Sequence, residues 1–252
     1  MNLETVTGMV LSAMPIGEYD KRLVILTRER GRISAFAKGA RRSNSPLMAA
    51  SQPFSFGQFT LYVGKSSYTV NQAEIQNYFQ DLRENLEWIA YGSYFCELAA
   101  ALTYENIEAS GILKLLYQSL RALTVERIPN RLVRAIFELK AIAFNGEMPQ
   151  MFSCAKCNRK QEDLRQVFYG RFSPKAGGML CKECQNHGPD GMVLSETAVY
   201  TLQYIVSSKV EKLFTFVLEA AVEQEVVEAV ERYLACYVQE EFHSLEMLQL
   251  FC

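Results

Sequence analysis

Four cysteines are the residues of this 252-residue chain best suited to chemistry: Cys154 and Cys157, then, after 23 intervening residues, Cys181 and Cys184. Two residues between cysteines let a tight turn aim both sulfurs at one point, about 2.3 Å from a zinc ion. Two such pairs complete a tetrahedron and leave no position for an activated water, so the spacing predicts a structural zinc ion rather than a catalytic one. A redox pair or an iron–sulfur cluster uses the same residue type. His187, three residues past Cys184, is an alternative fourth ligand. Gly177 and Gly178 supply a turn just before the second pair, which fits a short hairpin. Losing the metal is expected to unfold this segment.

Little else in the sequence asks for catalysis. The chain has two histidines, His187 and His243. The metalloprotease pattern H-E-x-x-H, the deaminase H-x-E, the phosphate-binding G-x-x-x-x-G-K-[ST] and the nucleophile elbow G-x-S-x-G are all missing. Asp20 and Glu74 have no partner at acid/base spacing. No catalytic residue is assigned, and the chain is expected to be no enzyme. Seven cysteines in no even framework argue against a disulfide scaffold. Cys96 and Cys236 fall in apolar helical stretches and are expected to be buried, inert thiols, while Cys252 stands alone.

The second candidate for chemistry is a surface. The net charge of −2 averages over an uneven chain. Residues 1–80 hold nine Lys/Arg against five Asp/Glu, residues 81–184 fourteen against twelve, and residues 185–252 three against eleven. A basic front and an acidic back suit a polyanion-binding surface at the front. In Arg32-Ile-Ser-Ala-Phe-Ala-Lys38, strand alternation places Arg32, Phe36 and Lys38 on one face. Two cations around an aromatic are what a single-stranded backbone and its stacking bases require. Arg41 and Arg42 follow in a Ser/Asn/Pro loop, and Lys21, Arg22, Arg28 and Arg30 lie in or beside the preceding strand. An ordinary solvated hairpin is the competing reading. A second basic patch comprises Arg121, Arg127, Arg131 and Arg134, with Lys140 nearby. Arg131 and Arg134, a turn apart, are expected to oppose the apolar side of a helix.

These residues need elements to hold them. Thr5–Ala13, Lys21–Arg28, Arg32–Lys38, Gln58–Lys65 and Ser67–Ile75 have strand composition, separated by turn formers, with Gly31 and Gly64 at tight hairpins. Five short strands in about 80 residues suit a small barrel of the oligonucleotide-binding (OB) type. From Asp81 the period becomes helical. Asp81 and Glu84 resemble a capping box, with Leu82, Leu86, Ile89, Cys96 and Ala100 inward. Further helices are expected over 110–123, after a cap at Asn130 with an end at Asn145-Gly146, after a cap at Ser195, and as a long final one through Val222–Tyr237. The fold class is therefore α+β and multidomain. Residues 1–80 form the OB barrel, 81–146 and 191–252 a helical domain, and 147–190 an inserted four-cysteine zinc ribbon. Hydrophobic residues make up 49% of the chain, and no apolar run reaches the roughly 18–20 residues of a membrane span. The first residues lack a signal-peptide layout. A soluble intracellular protein with no membrane partner is expected.

Several segments, in order, resemble the bacterial RecO family of DNA repair and recombination mediators. They are Thr7-Gly-Met-Val-Leu11, Gly17-Glu-Tyr-Asp-Lys21, Leu26-Thr-Arg-Glu-Arg-Gly-Arg-Ile33, Ala37-Lys-Gly-Ala-Arg-Arg42 and Gln52-Pro-Phe54, then Asn145-Gly146, Pro149 and the two cysteine pairs. The resemblance implies an OB barrel, a helical domain and a zinc-binding insert. It implies binding of single- and double-stranded DNA, annealing of complementary strands, and assistance with RecR in loading RecA onto DNA coated by single-strand-binding protein. The implied partners are DNA, RecR and single-strand-binding protein, in a bacterial, nucleoid-associated cytoplasmic setting. Lys21, Arg22, Arg30, Arg32, Lys38, Arg41 and Arg42 are the implied DNA contacts, with Phe36 as the aromatic among them. The competing class is a zinc-ribbon protein-interaction adaptor that does not itself anneal DNA.

Overall fold

A computed structural model describes residues 2–65, 67–160 and 171–248. Residues 161–170 of the expected insert, and Cys252, lie outside the described residues. Residues 1–124 together with 242–252 form one compact unit, and 125–241 form another.

The first unit opens with five strands: β1 (Asn2–Ile16), β2 (Asp20–Thr27), β3 (Gly31–Ala37), β4 (Phe56–Val63) and β5 (Tyr68–Asn77). A short helix, α1 (Leu47–Ala50), separates β3 from β4. The strands close into a barrel in the order β1-β2-β3-β5-β4. Every pairing is antiparallel except β3 with β5. Closure depends on the length of β1. Its first half pairs with β4 and its second half with β2, and the register shifts between Val10 and Ser12, where the strand bends from one neighbour to the other. The expected strand Thr5–Ala13 is the middle of this element. Period-2 alternation packs the barrel: Val6, Val10, Leu23, Ile25, Ile33, Phe59 and Leu61 point inward and are almost completely buried. Each such side chain contributes about 1.5–3 kcal/mol through burial.

The turn from β2 to β3 requires Gly31. Its φ is +64°, and a Cβ there would lie 2.1 Å from the Tyr104 carbonyl oxygen and 2.4 Å from that of Ile107. The chain segment after α2 (Leu86–Ala101) thus lies directly on this turn, with Asn106 N–H donating to the Arg30 carbonyl at 2.8 Å. α2 and α3 (Ser110–Val125) complete the unit with α7 (His243–Leu248), whose Ser244 hydroxyl donates to Glu97 Oε2 at 2.7 Å. Residues 81–84 form a single 3-10 turn, not the capped start of a helix. The N-cap of α2 is Asn85, whose Oδ1 accepts from the N–H groups of Glu87 and Trp88. This shifts the buried stripe to Ala90, Tyr91, Tyr94, Phe95 and Leu98 and leaves Leu86 exposed. Cys96 is buried as expected.

In the second unit, α4 (Asn130–Phe144), α5 (Glu196–Ser207) and α6 (Ala220–Tyr237) carry a two-stranded hairpin, β6 (Arg171–Ser173) and β7 (Gly178–Leu180). Pro129 rather than Asn130 occupies the N-cap of α4, and its restricted φ suits that position without a side-chain acceptor. Ser195 caps α5 as expected, accepting from Ala198 N–H at 3.2 Å. Lys140 is buried: its ammonium donates to the carbonyls of Val206 (2.7 Å) and Ser208 (2.8 Å), holding the C-terminal end of α5. Cys236 is exposed, because the buried stripe of α6 runs through Val226, Val230, Tyr233 and Leu234. No described helix is long and apolar enough to cross a membrane.

Candidate metal centre and nucleic-acid interface

The sulfurs of Cys154, Cys157, Cys181 and Cys184 lie within 4.8 Å of one another. Those of Cys157 and Cys181 are 3.8 Å apart, close to the edge, about 3.8 Å, of a tetrahedron with 2.3 Å bonds. Each pair sits on its own tight turn. In the first, Asn158 N–H donates to Cys154 O at 2.8 Å and Asn158 takes a positive φ, which asparagine tolerates. In the second, Cys184 N–H donates to Cys181 O at 2.9 Å. The hairpin brings the turns together. Gly178, at φ +149°, lets the backbone pass so close to Gln150 that a Cβ would meet Gln150 O at 2.5 Å. Met179 N–H donates to Gln150 O there at 2.9 Å, and Ala155 N–H reaches Met179 O at 2.8 Å. His187 is outside the sulfur group, its Nδ1 lying 3.2 Å from the Cys184 carbonyl.

The electrostatics of the cluster fit a cation. The backbone N–H of Arg159, joined by the Cys154 sulfur, the Arg159 side chain and Cys181, draws the exposed Cys157 thiol down to about 6. Burial, then the neighbouring sulfurs, push Cys184 up to about 12. Four acidic groups this close cannot all ionise alone, and a divalent ion removes that conflict by ionising every thiol it binds. Outside the sulfurs, Arg159 joins the two turns: its guanidinium donates to both carboxylate oxygens of Glu183, Nη1 to Oε1 at 3.1 Å. The group can therefore hold a soft, tetrahedral metal ion.

The barrel carries the other candidate site on its outer surface. On β3, Ile33, Ala35 and Ala37 are buried while Arg32, Ser34 and Phe36 face outward, half-buried, and the exposed Lys38 follows the strand end. Arg22 on β2 stands directly across from Phe36, and its Nε donates to Ser34 Oγ at 2.8 Å. The same outward row continues to the exposed Met14 on β1 and to Thr69 on β5. Two loops meet beside this row. Arg41 N–H donates to Tyr19 O at 2.9 Å, its guanidinium to Gly17 O at 3.0 Å, and Gly39 N–H to Asp20 Oδ1 at 2.7 Å. The Arg42 guanidinium lies 4.9 Å from the centroid of the Tyr19 ring, a cation–π distance. Arg22, Phe36, Lys38, Arg41 and Arg42 are thus gathered at one end of the barrel. Tyr19 was not among the expected site residues. Its signal was an aromatic in a Gly-Glu-Tyr-Asp turn between two strands.

Other expected residues stand elsewhere. Lys21 is on the inward side of β2, donating to Ser51 Oγ at 3.0 Å, and burial, then the charge of Arg41, lower its pKa. Arg30 is at the opposite end of the strands, where Nε and Nη2 grip Glu4 (3.0 and 2.6 Å) and Nη1 donates to Asn106. Arg32 is two outward positions from Phe36, towards that end, and its N–H donates to the Tyr104 carbonyl. Arg121 belongs to the first unit, whereas Arg127, Arg131 and Arg134 belong to the second. Arg121, Arg127 and Arg131 are exposed. Arg134 does not oppose the apolar side as expected: it is half-buried, bonded to the buried Glu138 (2.7 Å) and near Glu231 (3.3 Å).

Comparison with known proteins agrees with this architecture. Residues 1–79 match the family model "Recombination protein O N terminal" and residues 83–246 match "Recombination protein O C terminal". The DNA repair protein RecO of Acetivibrio thermocellus is 32% identical over 250 residues, covering 99% of this chain and 97% of its own. That of Symbiobacterium thermophilum is 34% identical over 249 residues, with 98% and 97% covered. That of Desulforudis audaxviator is 33% identical over 244 residues, with 96% and 94% covered. With both family models matched in order along a closed barrel, helices and a four-cysteine cluster, this chain belongs to the RecO family of DNA repair and recombination proteins.

Proposed function

We propose that this chain is a non-enzymatic recombination mediator. It binds single- and double-stranded DNA, anneals complementary strands, and assists RecA loading with RecR on DNA coated by single-strand-binding protein, in a nucleoid-associated cytoplasmic setting. The observation that carries the proposal is the clustering of Arg22, Lys38, Arg41 and Arg42 around Phe36 and Tyr19 at one end of the barrel. Cations there neutralise two phosphate backbones and release their counterions, and rings hold unpaired bases until complements meet. No bond chemistry is needed. Arg30 and Lys21 are held in internal contacts and serve the barrel first.

We infer further that the metal is zinc and that it is structural, because four thiolates fill its coordination shell. Cys154, Cys157, Cys181 and Cys184 would hold it, and it would supply cross-linking of the two turns rather than a reactive water. Elemental analysis should give one zinc per chain.

The DNA reading is tested by fluorescence anisotropy of a labelled single strand across a salt series. The Arg22→Ala, Lys38→Ala, Arg41→Ala and Arg42→Ala combination should weaken binding. It should also flatten the log–log salt slope by about 0.7 for each phosphate that is no longer neutralised. Binding indifferent to salt and to the four substitutions would overturn the proposal.

A further inference from the structure

We infer that Tyr19, backed by Arg42, is a base-stacking platform that gives the proposed DNA site its preference for unpaired nucleotides. The inference rests on the DNA-binding reading above. Tyr19 is 43% exposed on a loop tip, where its ring stabilises no core. Its position is nonetheless held from two sides. Arg41 N–H bonds its carbonyl, and the Arg42 guanidinium covers one ring face at 4.9 Å. A ring held in place while still exposed has lost its freedom before any ligand arrives, which lowers the entropic cost of stacking on it.

The charges around the ring define how a strand would lie. Arg41 and Arg42 stand on the loop after β3, and Arg22 stands on the neighbouring strand. The exposed Glu18, next to Tyr19 in the turn, repels phosphate. A backbone drawn to the arginines and kept away from Glu18 turns its bases, not its phosphates, towards the ring. A base inside a duplex is already stacked on both faces and cannot accept a third partner, whereas a base in a flexible strand can. Duplex DNA would then meet only the cations. The exposed Met14 and Ile16, at the end of β1 that leads into this loop, extend the apolar surface available to a neighbouring base.

The test measures binding of the full chain to a thymidine oligonucleotide, to an abasic strand of the same length, and to a blunt duplex. Tyr19→Ala should weaken binding to the thymidine strand by about 5- to 150-fold, the range spanned by base–aromatic stacking, and leave the abasic strand and the duplex unchanged. Tyr19→Phe should retain binding, since the ring is kept. Arg41→Ala should weaken all three by similar factors. Equal losses for Tyr19→Ala on the thymidine and abasic strands, or no loss on either, would overturn the platform while leaving the DNA site standing. Failure of the unaltered protein to bind any of the three would overturn the DNA reading itself. An unchanged melting temperature for Tyr19→Ala shows that the exposed residue was removed without unfolding the barrel.

Discussion

Arg159, two residues beyond the first cysteine pair, donates through both arms of its guanidinium to Glu183, which lies between the two cysteines of the second pair. The two turns of the candidate metal site are therefore also tied together outside the sulfur cluster. Groups that orient metal ligands from outside commonly change metal affinity by about 10–100-fold. Because both side chains are exposed, Arg159→Ala should fall at the low end of that range. Transfer of the proposed zinc ion to a competing chelator, followed by absorbance, should be faster in Arg159→Ala and in Glu183→Ala. It should return towards the original rate in the reversed pair Arg159→Glu/Glu183→Arg.

Removing the metal should have a confined effect. The cysteine turns and the short β6–β7 hairpin are too small to hold themselves, so chelation or Cys181→Ser should abolish amide protection across the described residues of 150–192. The barrel, whose core is formed almost entirely by its own strands, should keep its protection. Hydrogen exchange with mass detection separates the two regions. Metal loss should also be promoted by acid, since a proton competes for each thiolate.

Arg30 and Arg22 should behave oppositely. Arg22→Ala removes a cation from the proposed DNA face and should weaken oligonucleotide binding with little change in melting temperature. Arg30→Ala releases Glu4 and should cost up to about 1 kcal/mol of stability with little change in DNA affinity. The Arg30 hydrogen bond holds the Glu4 carboxyl below the usual glutamate range despite some burial. A depressed carboxylate stabilises the fold above its unfolded pKa, and that stability disappears as pH falls through the folded value. The stability gap between the original protein and Arg30→Ala should therefore be full near neutrality and close in acid, as urea titrations at several pH values would show.

Gly31→Ala should damage the barrel severely. The positive φ and two carbonyl oxygens within 2.4 Å of the added Cβ leave no relaxation that spares the backbone. A loss of at least about 2–4 kcal/mol is expected, measured by denaturant unfolding.

Much of this was legible in the sequence for identifiable reasons. The barrel was visible because inward and outward residues alternate in β2 and β3, and the four-cysteine cluster because ligand spacing within a turn is a local property. The double span of β1 was not, since which neighbour each half of a strand pairs with is a tertiary fact. Asp81 and Glu84 matched the capping-box pattern, but it is Asn85, with an extended backbone, that aims its Oδ1 at the first turn of α2. Arg30 looked like a surface cation because its partner Glu4 is 26 residues away. Arg134 has a partner four residues on in Glu138, but the burial of that pair beside Glu231 is a tertiary fact. The short α7 carries little periodicity of its own and is placed by Phe242 against Tyr94 and Ser244 on Glu97. Tyr19 gained its significance only when the loop carrying Arg41 and Arg42 was seen to fold onto it.

Annealing of fluorescently labelled complementary oligonucleotides, without any nucleotide triphosphate, is the most direct test of the mediator role. The unaltered protein should accelerate duplex formation, and the variant lacking Arg22, Lys38, Arg41 and Arg42 should be reduced towards the spontaneous rate. Spontaneous-rate annealing by the unaltered protein, or full acceleration by the variant, would contradict it.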